Sequence, residues 1–142
     1  MLPTAGYSGT PLVKKLGIRA GARLALIGAP DEFDATLGEL PDGVSVRRRV
    51  RGPVDVLVAF FVRRAALVRR LPTLRDALDP AGGLWIAWPK RASGVQTDLG
   101  EGEVRELGLQ AGLVDNKVCA IDDTWSGLRF VYRVADRPGR SR

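Results

Sequence analysis

Residues Leu84–Gly94 read Leu-Trp-Ile-Ala-Trp-Pro-Lys-Arg-Ala-Ser-Gly, and this stretch most limits what the chain can fold into. Five apolar residues follow the turn sequence Asp79-Pro80-Ala81-Gly82-Gly83, the pattern of a strand buried on both faces. Two cations and three small residues come directly after. Such a strand carries charge and pliable backbone at its carboxyl end, where open parallel sheets bind ligands. Trp85 and Trp88 are three residues apart, so in a strand they point to opposite faces.

A strand covered on both sides needs helices on both sides, and the rest of the chain supplies the alternation. Thr10–Gly17 reads as a short helix with Thr10 as N-cap, Pro11 in the first turn and Gly17 after the end. Arg23–Ile27 is a first strand, closed by Gly28-Ala29-Pro30. Asp31–Leu40 is a helix with Phe33, Leu37 and Leu40 on one face. Val44–Val46 starts a second strand that runs into Arg47-Arg48-Arg49-Val50-Arg51. Val54–Val62, nearly all apolar, is the third and most central strand. Leu67, Leu71, Leu74 and Leu78 recur at helical spacing, but Pro72 interrupts them, which predicts a kink or two short helices. After the Leu84 strand, Asp98 and Glu101 are spaced as a capping box for a helix through Val104, Leu107 and Ala111, stopped by Gly112. Leu113–Ile121 is a fifth strand. Asp122–Gly127 is a turn, and Leu128–Val134 alternates like an edge strand in antiparallel pairing.

This order predicts an α/β fold: a Rossmann-like three-layer sandwich, mostly parallel, with a C-terminal antiparallel hairpin strand. A length of 142 residues suits one domain, placed at residues 1–135, with 136–142 expected as a disordered tail. No apolar run reaches the length of a membrane span, and no secretory signal opens the chain. A cytoplasmic protein is the expectation.

Composition removes several chemistries. The chain has no histidine and a single cysteine, Cys119. That excludes Ser-His-Asp and Cys-His catalysis, an internal disulfide and a histidine- or multi-cysteine-based metal site. No metal is expected, and Cys119, in an apolar run, reads as a buried inert thiol. Net charge is +6, with 18 of the 22 cations arginine, which points weakly to an acidic partner.

Three features resemble the methyltransferase variety of Rossmann fold, shortened by one strand–helix unit. They are Gly21–Gly28 as first strand, Leu78–Leu84 as the turn before a later central strand, and the ending of helix, Ala111-Gly112-Leu113, strand and hairpin. A closer resemblance rests on Tyr7-Ser8-Gly9-Thr10-Pro11-Leu12, Gly28-Ala29-Pro30, Trp88–Gly94 and Asp123–Leu128. These motifs are similar to an uncharacterised bacterial domain family of unknown function, found in actinobacteria among others, and that resemblance implies no activity.

The methyltransferase resemblance implies S-adenosylmethionine, held by a glycine-rich turn after the first strand and by an acid at the end of the second. Here the turn is Gly28-Ala29-Pro30, and Pro30 has no N–H to offer. Asp31 and Glu32 occupy the following helix start, and Arg47-Arg48-Arg49 stand where the acid belongs. The dinucleotide glycine fingerprint is missing as well. No cofactor is therefore expected.

The sheet's carboxyl edge is expected to gather Lys90, Arg91, Ser93, Gly94, Asp122, Asp123, Thr124, Trp125 and Ser126. Tyr7-Ser8-Gly9 is a candidate lid. The cations, hydroxyls and aromatic wall suit a small anionic ligand. The competing structural expectation is a clasp, in which Asp122 or Asp123 neutralises Lys90 or Arg91. The leading functional expectation is a non-catalytic module for a small anion or a protein partner. The first alternative is an unusual enzyme with Lys90, Asp122, Asp123 or Tyr7 as acid or base. A nucleic-acid interface through Arg47–Arg51 comes last, because a charged, solvated edge strand explains those arginines and no stacking platform accompanies them.

Overall fold

The computed structural model describes residues 10–136. Strands β1 (Arg23–Ile27), β2 (Ser45–Arg47), β3 (Val54–Phe60), β4 (Leu78–Pro89), β5 (Leu113–Ala120) and β6 (Trp125–Tyr132) form one sheet in the order β2-β1-β3-β4-β6-β5. The first four in that order are parallel, and β6 runs antiparallel to both β4 and β5. The architecture is the expected α/β, Rossmann-like, mostly parallel sheet. β3 lies inside it, buried at every position but Asp55.

Helices α1 (Leu12–Lys15) and α2 (Phe33–Leu37) cover one face, and α3 (Arg64–Ala77) and α4 (Glu101–Gln110) cover the other. The first core joins Leu16, Ile18, Phe33 and Leu37 to Leu24, Val58, Phe60 and Trp85. The second joins Leu67, Leu71, Leu74, Val104 and Leu107 to Leu57, Ile86, Trp88, Leu128 and Phe130. Trp85 and Trp88 thus point to opposite faces, as their spacing requires. The Trp85 indole N–H donates to the Leu16 carbonyl at 3.0 Å in a buried bond that ties α1 to the sheet. α4 approaches the other face so closely that a Cβ at Gly108 would run into the Phe130 ring.

Several local expectations are corrected. β6 is not at the edge: it lies between β4 and β5, and β5 takes the edge, with Asn116–Val118 exposed. The alternation in β6 marks a half-covered face. Leu128, Phe130 and Tyr132 pack under α3 and α4, while Gly127 and Arg129 occupy the intervening positions. α3 runs unbroken through Pro72. Pro72 and Val68 both lie on its exposed side, where water can take the carbonyl that proline leaves without a donor.

The helix expected over Asp31–Leu40 is only Phe33–Leu37, because Gly38 leaves helical geometry at φ +80°. α1 begins at Leu12 with Pro11 as its cap residue and no side-chain capping bond, so Thr10 is not its N-cap. The Asp98–Glu101 capping box does not form at α4, whose cap residue is Gly100. Asp98 instead accepts from the backbone N–H of Arg64 at 2.7 Å and so caps α3.

The last described element is a short 3-10 turn, Val134–Asp136. The expected tail beyond it, residues 137–142, and the proposed lid Tyr7-Ser8-Gly9 lie outside the described residues. No described helix is long and apolar enough to cross a membrane.

Candidate functional site at the carboxyl edge

β4 emerges from the sheet at Pro89, and β6 enters antiparallel beside it at Trp125. This pairing brings the Trp88–Gly94 and Asp122–Gly127 segments together. The Lys90 N–H donates to the Thr124 carbonyl at 2.7 Å, and Trp88 pairs with Ser126 in the ladder. The two segments that the sequence selects do meet, through backbone.

Their side chains do not form a single cluster. Arg91 and Gly94 line a groove of about 530 Å³ with Trp88, Leu99, Gln96 and Thr97, on the α4 side. Trp125 packs with the core on the α1 side. Near Trp125, burial pushes the Cys119 thiol pKa up, more strongly than the charges of Lys15, Lys117 and Lys90 pull it down. Cys119 is only partly buried.

The hydroxyls and acids are mostly committed to local structure. Ser93 Oγ donates to the Lys90 carbonyl at 2.7 Å and accepts from the Val95 N–H at 3.1 Å. Those bonds close the 3-10 turn Arg91–Ser93, which ends at Gly94 in the left-handed region, and occupy a hydroxyl expected to face a ligand. Asp122 Oδ1 accepts from the N–H groups of Thr124 and Trp125, both at 2.8 Å. Among the described residues, neither Asp122 nor Asp123 forms an ion pair with Lys90 or Arg91. The clasp between these loops is therefore the Lys90–Thr124 backbone bond rather than a salt bridge.

The loop from Gly94 to Gly100 supplies groove residues that the sequence reading missed: Gln96, Thr97, Leu99 and Gly100, followed by Glu101 of α4. Thr97 Oγ1 holds that loop down, donating to the Val62 carbonyl at 2.6 Å and accepting from the Leu99 N–H at 3.1 Å. Glu101, at the lip, pairs with Arg105 at 2.7 Å. The available signal was the density of small and polar residues between β4 and α4.

The carboxyl ends of β1 and β3 carry a different chemistry. Phe33, Phe60 and Trp125 form an edge-to-face chain, with ring centroids 5.0 and 5.1 Å apart. Gly28 lies tight against the end of β3: a Cβ there would stand 3.1 Å from the Phe60 carbonyl oxygen. At the end of β2, Arg47 donates to the Arg51 carbonyl at 2.7 Å, and the next residue, Arg48, pairs with Asp34 at 2.9 Å. β2 is a sheet edge, and these arginines solvate and brace it. This donor set does not fit S-adenosylmethionine: the ribose acid is replaced by arginine, and the turn after β1 offers Pro30 in place of an N–H. Among the described residues, no cluster of three or more acidic or thiol side chains is placed to hold a metal.

No protein-family profile and no curated protein matches the chain. Solved structures do. A SAM-dependent methyltransferase from Aquifex aeolicus is similar at a TM-score of 0.62 and 15% identity, with 84% of this chain and 86% of that one covered. The mitomycin 7-O-methyltransferase MmcR is similar at 0.62 and 12%, over 80% of this chain and 49% of that one. A fibrillarin pre-rRNA processing protein from Methanococcus jannaschii is similar at 0.58 and 14%, over 87% and 69%. At these identities the likeness is one of fold, and the fold of this chain is that of the Rossmann-like methyltransferases.

Proposed function

We propose that the chain is a binding module on a methyltransferase-like fold, taking a small monoanionic ligand with an apolar body in the groove beside Arg91. The observation that carries this reading is the chemistry of the groove. One guanidinium, without a carboxylate in ion-pair distance among the described residues, lies beside Trp88 and Leu99. A cation at the mouth of an apolar-walled cleft fixes a carboxylate while the walls receive its hydrocarbon body. Binding without methyl transfer is supported by the aromatic chain at the ends of β1 and β3 and by the arginines after β2.

The second reading is a SAM-dependent enzyme. It is favoured by the sheet order and by the methyltransferase activity for which the similar structures are named. Isothermal calorimetry with S-adenosylmethionine and a panel of aromatic and aliphatic monocarboxylates, each at about 100 μM, separates the two. Saturable heat with a carboxylate, lost in Arg91→Ala, and none with S-adenosylmethionine is the expected result. Saturable heat with S-adenosylmethionine overturns the first reading in favour of the second.

A further inference from the structure

We infer that the α1 face of the sheet carries a second, separate anion site, shaped for a ligand bearing two or more phosphate groups. Among the described residues, α1 and the loop after it cover β1, β3 and β4 through Leu16, Ile18 and the Trp85 bond, and a groove separates them from Asn116 and Lys117 of β5 and Arg129 of β6. The resulting groove is about 860 Å³, within the ordinary range for small-molecule sites. Lys14, Lys15 and Arg19 form one wall; Lys117 and Arg129 form the other. The one carboxylate among its described lining residues, Asp55, already accepts three hydrogen bonds from Arg23 at 2.8–3.0 Å.

Arg129 is the residue that a merely solvated surface does not explain. It lies on an interior strand and is half-buried. It pairs directly across the ladder with Lys117, and like charges opposite one another in a sheet destabilise it. Among the described residues no carboxylate lies in ion-pair distance of Arg129, and its guanidinium donates to the Asn116 amide oxygen at 3.3 Å. Room for the guanidinium is made by Gly83, where a Cβ would collide with it. Burial also lowers the Arg129 pKa from its usual value.

An anion between Lys117 and Arg129 converts their repulsion into two charge-assisted bonds. A single phosphate satisfies one wall. A ligand with two or more linked phosphates reaches Lys14 and Lys15 as well.

Calorimetry with orthophosphate, pyrophosphate and inorganic triphosphate in about 50 mM salt tests this. Saturable heat with pyrophosphate and triphosphate is expected, and orthophosphate should bind about tenfold more weakly. Lys117→Glu, an exposed change, and Arg129→Gln should each weaken triphosphate binding about tenfold. Arg69→Ala on the opposite face, which removes one positive charge, should not change it. No saturable heat with either polyphosphate, or heat indifferent to Lys117→Glu, overturns the proposal.

Discussion

Asp55 is the one acid inside the apolar run Val54–Val62, and its placement explains why it is tolerated there. It stands at the amino edge of β3, where Arg23 of β1 donates to it from the backbone and twice from the side chain. The same guanidinium reaches Asp79 of β4 at 3.3 Å, so one arginine pins three adjacent strands. The Arg23 hydrogen bonds hold the Asp55 carboxyl below its ordinary value of 3.8, with burial opposing them. A depressed folded pKa contributes stability above the unfolded pKa and loses it as pH falls through the folded value. Melting temperature measured from about pH 6 to about pH 2 should therefore drop in the acid limb. Asp55→Asn should lower it at neutral pH and flatten that limb. An unchanged acid slope in Asp55→Asn shows that the pair does not contribute.

At the scale of elements, helix starts are controlled from a distance. Asp98 and Thr97 belong to the loop before α4, yet they fix the start of α3 and the chain just before it. Asp98→Ala should cost about 1 kcal/mol in urea unfolding, the usual loss for a removed N-cap. Glu101→Gln should cost only the few tenths of an exposed helix ion pair, about 0.3–0.5 kcal/mol. The reverse order restores the local capping box that the spacing suggests.

That case shows what the sequence makes legible. Burial pattern is local and strong, so Val54–Val62, Leu84–Trp88 and the opposed tryptophans are readable from residue order alone. Capping across 34 residues, by contrast, leaves no local mark. Nor does the insertion of β6 between β4 and β5, because alternation reports a half-covered face and not a position in the sheet. The meeting of the two carboxyl-edge loops is legible because β4 ends and the final strand begins there, and they join through the Lys90–Thr124 backbone bond. Ser93 and Asp122 suggest ligand contacts by residue type alone, which carries no mark of their backbone partners Lys90, Val95, Thr124 and Trp125. The cationic α1-face groove leaves no local mark because Lys14, Lys15, Lys117 and Arg129 are scattered along the chain and meet only through the β5–β6 pairing and the packing of α1.

The whole molecule is two cores separated by one sheet, and this predicts how it unfolds. Leu71 belongs to the α3 side and Ile18 to the α1 side, and both are buried, at 4% exposure each. They share no cluster, but β3 and β4 belong to both: Leu57 and Ile86 face one way, Val58 and Trp85 the other. Neither core can be lost while the strands keep their pairing and their burial. A single cooperative transition follows. Leu71→Ala should cost about 2–5 kcal/mol and Ile18→Val about 0.5–1.5 kcal/mol. The double variant should equal their sum within about 0.5 kcal/mol, because the sites are on opposite faces without common neighbours. Far-UV circular dichroism and tryptophan fluorescence should follow the same curve in all three variants, since Trp88 reports the α3 side and Trp85 the α1 side. A fluorescence transition that precedes the loss of helix in Ile18→Val would mean that the α1 layer peels away alone, and that the Trp85–Leu16 bond does not couple it to the sheet.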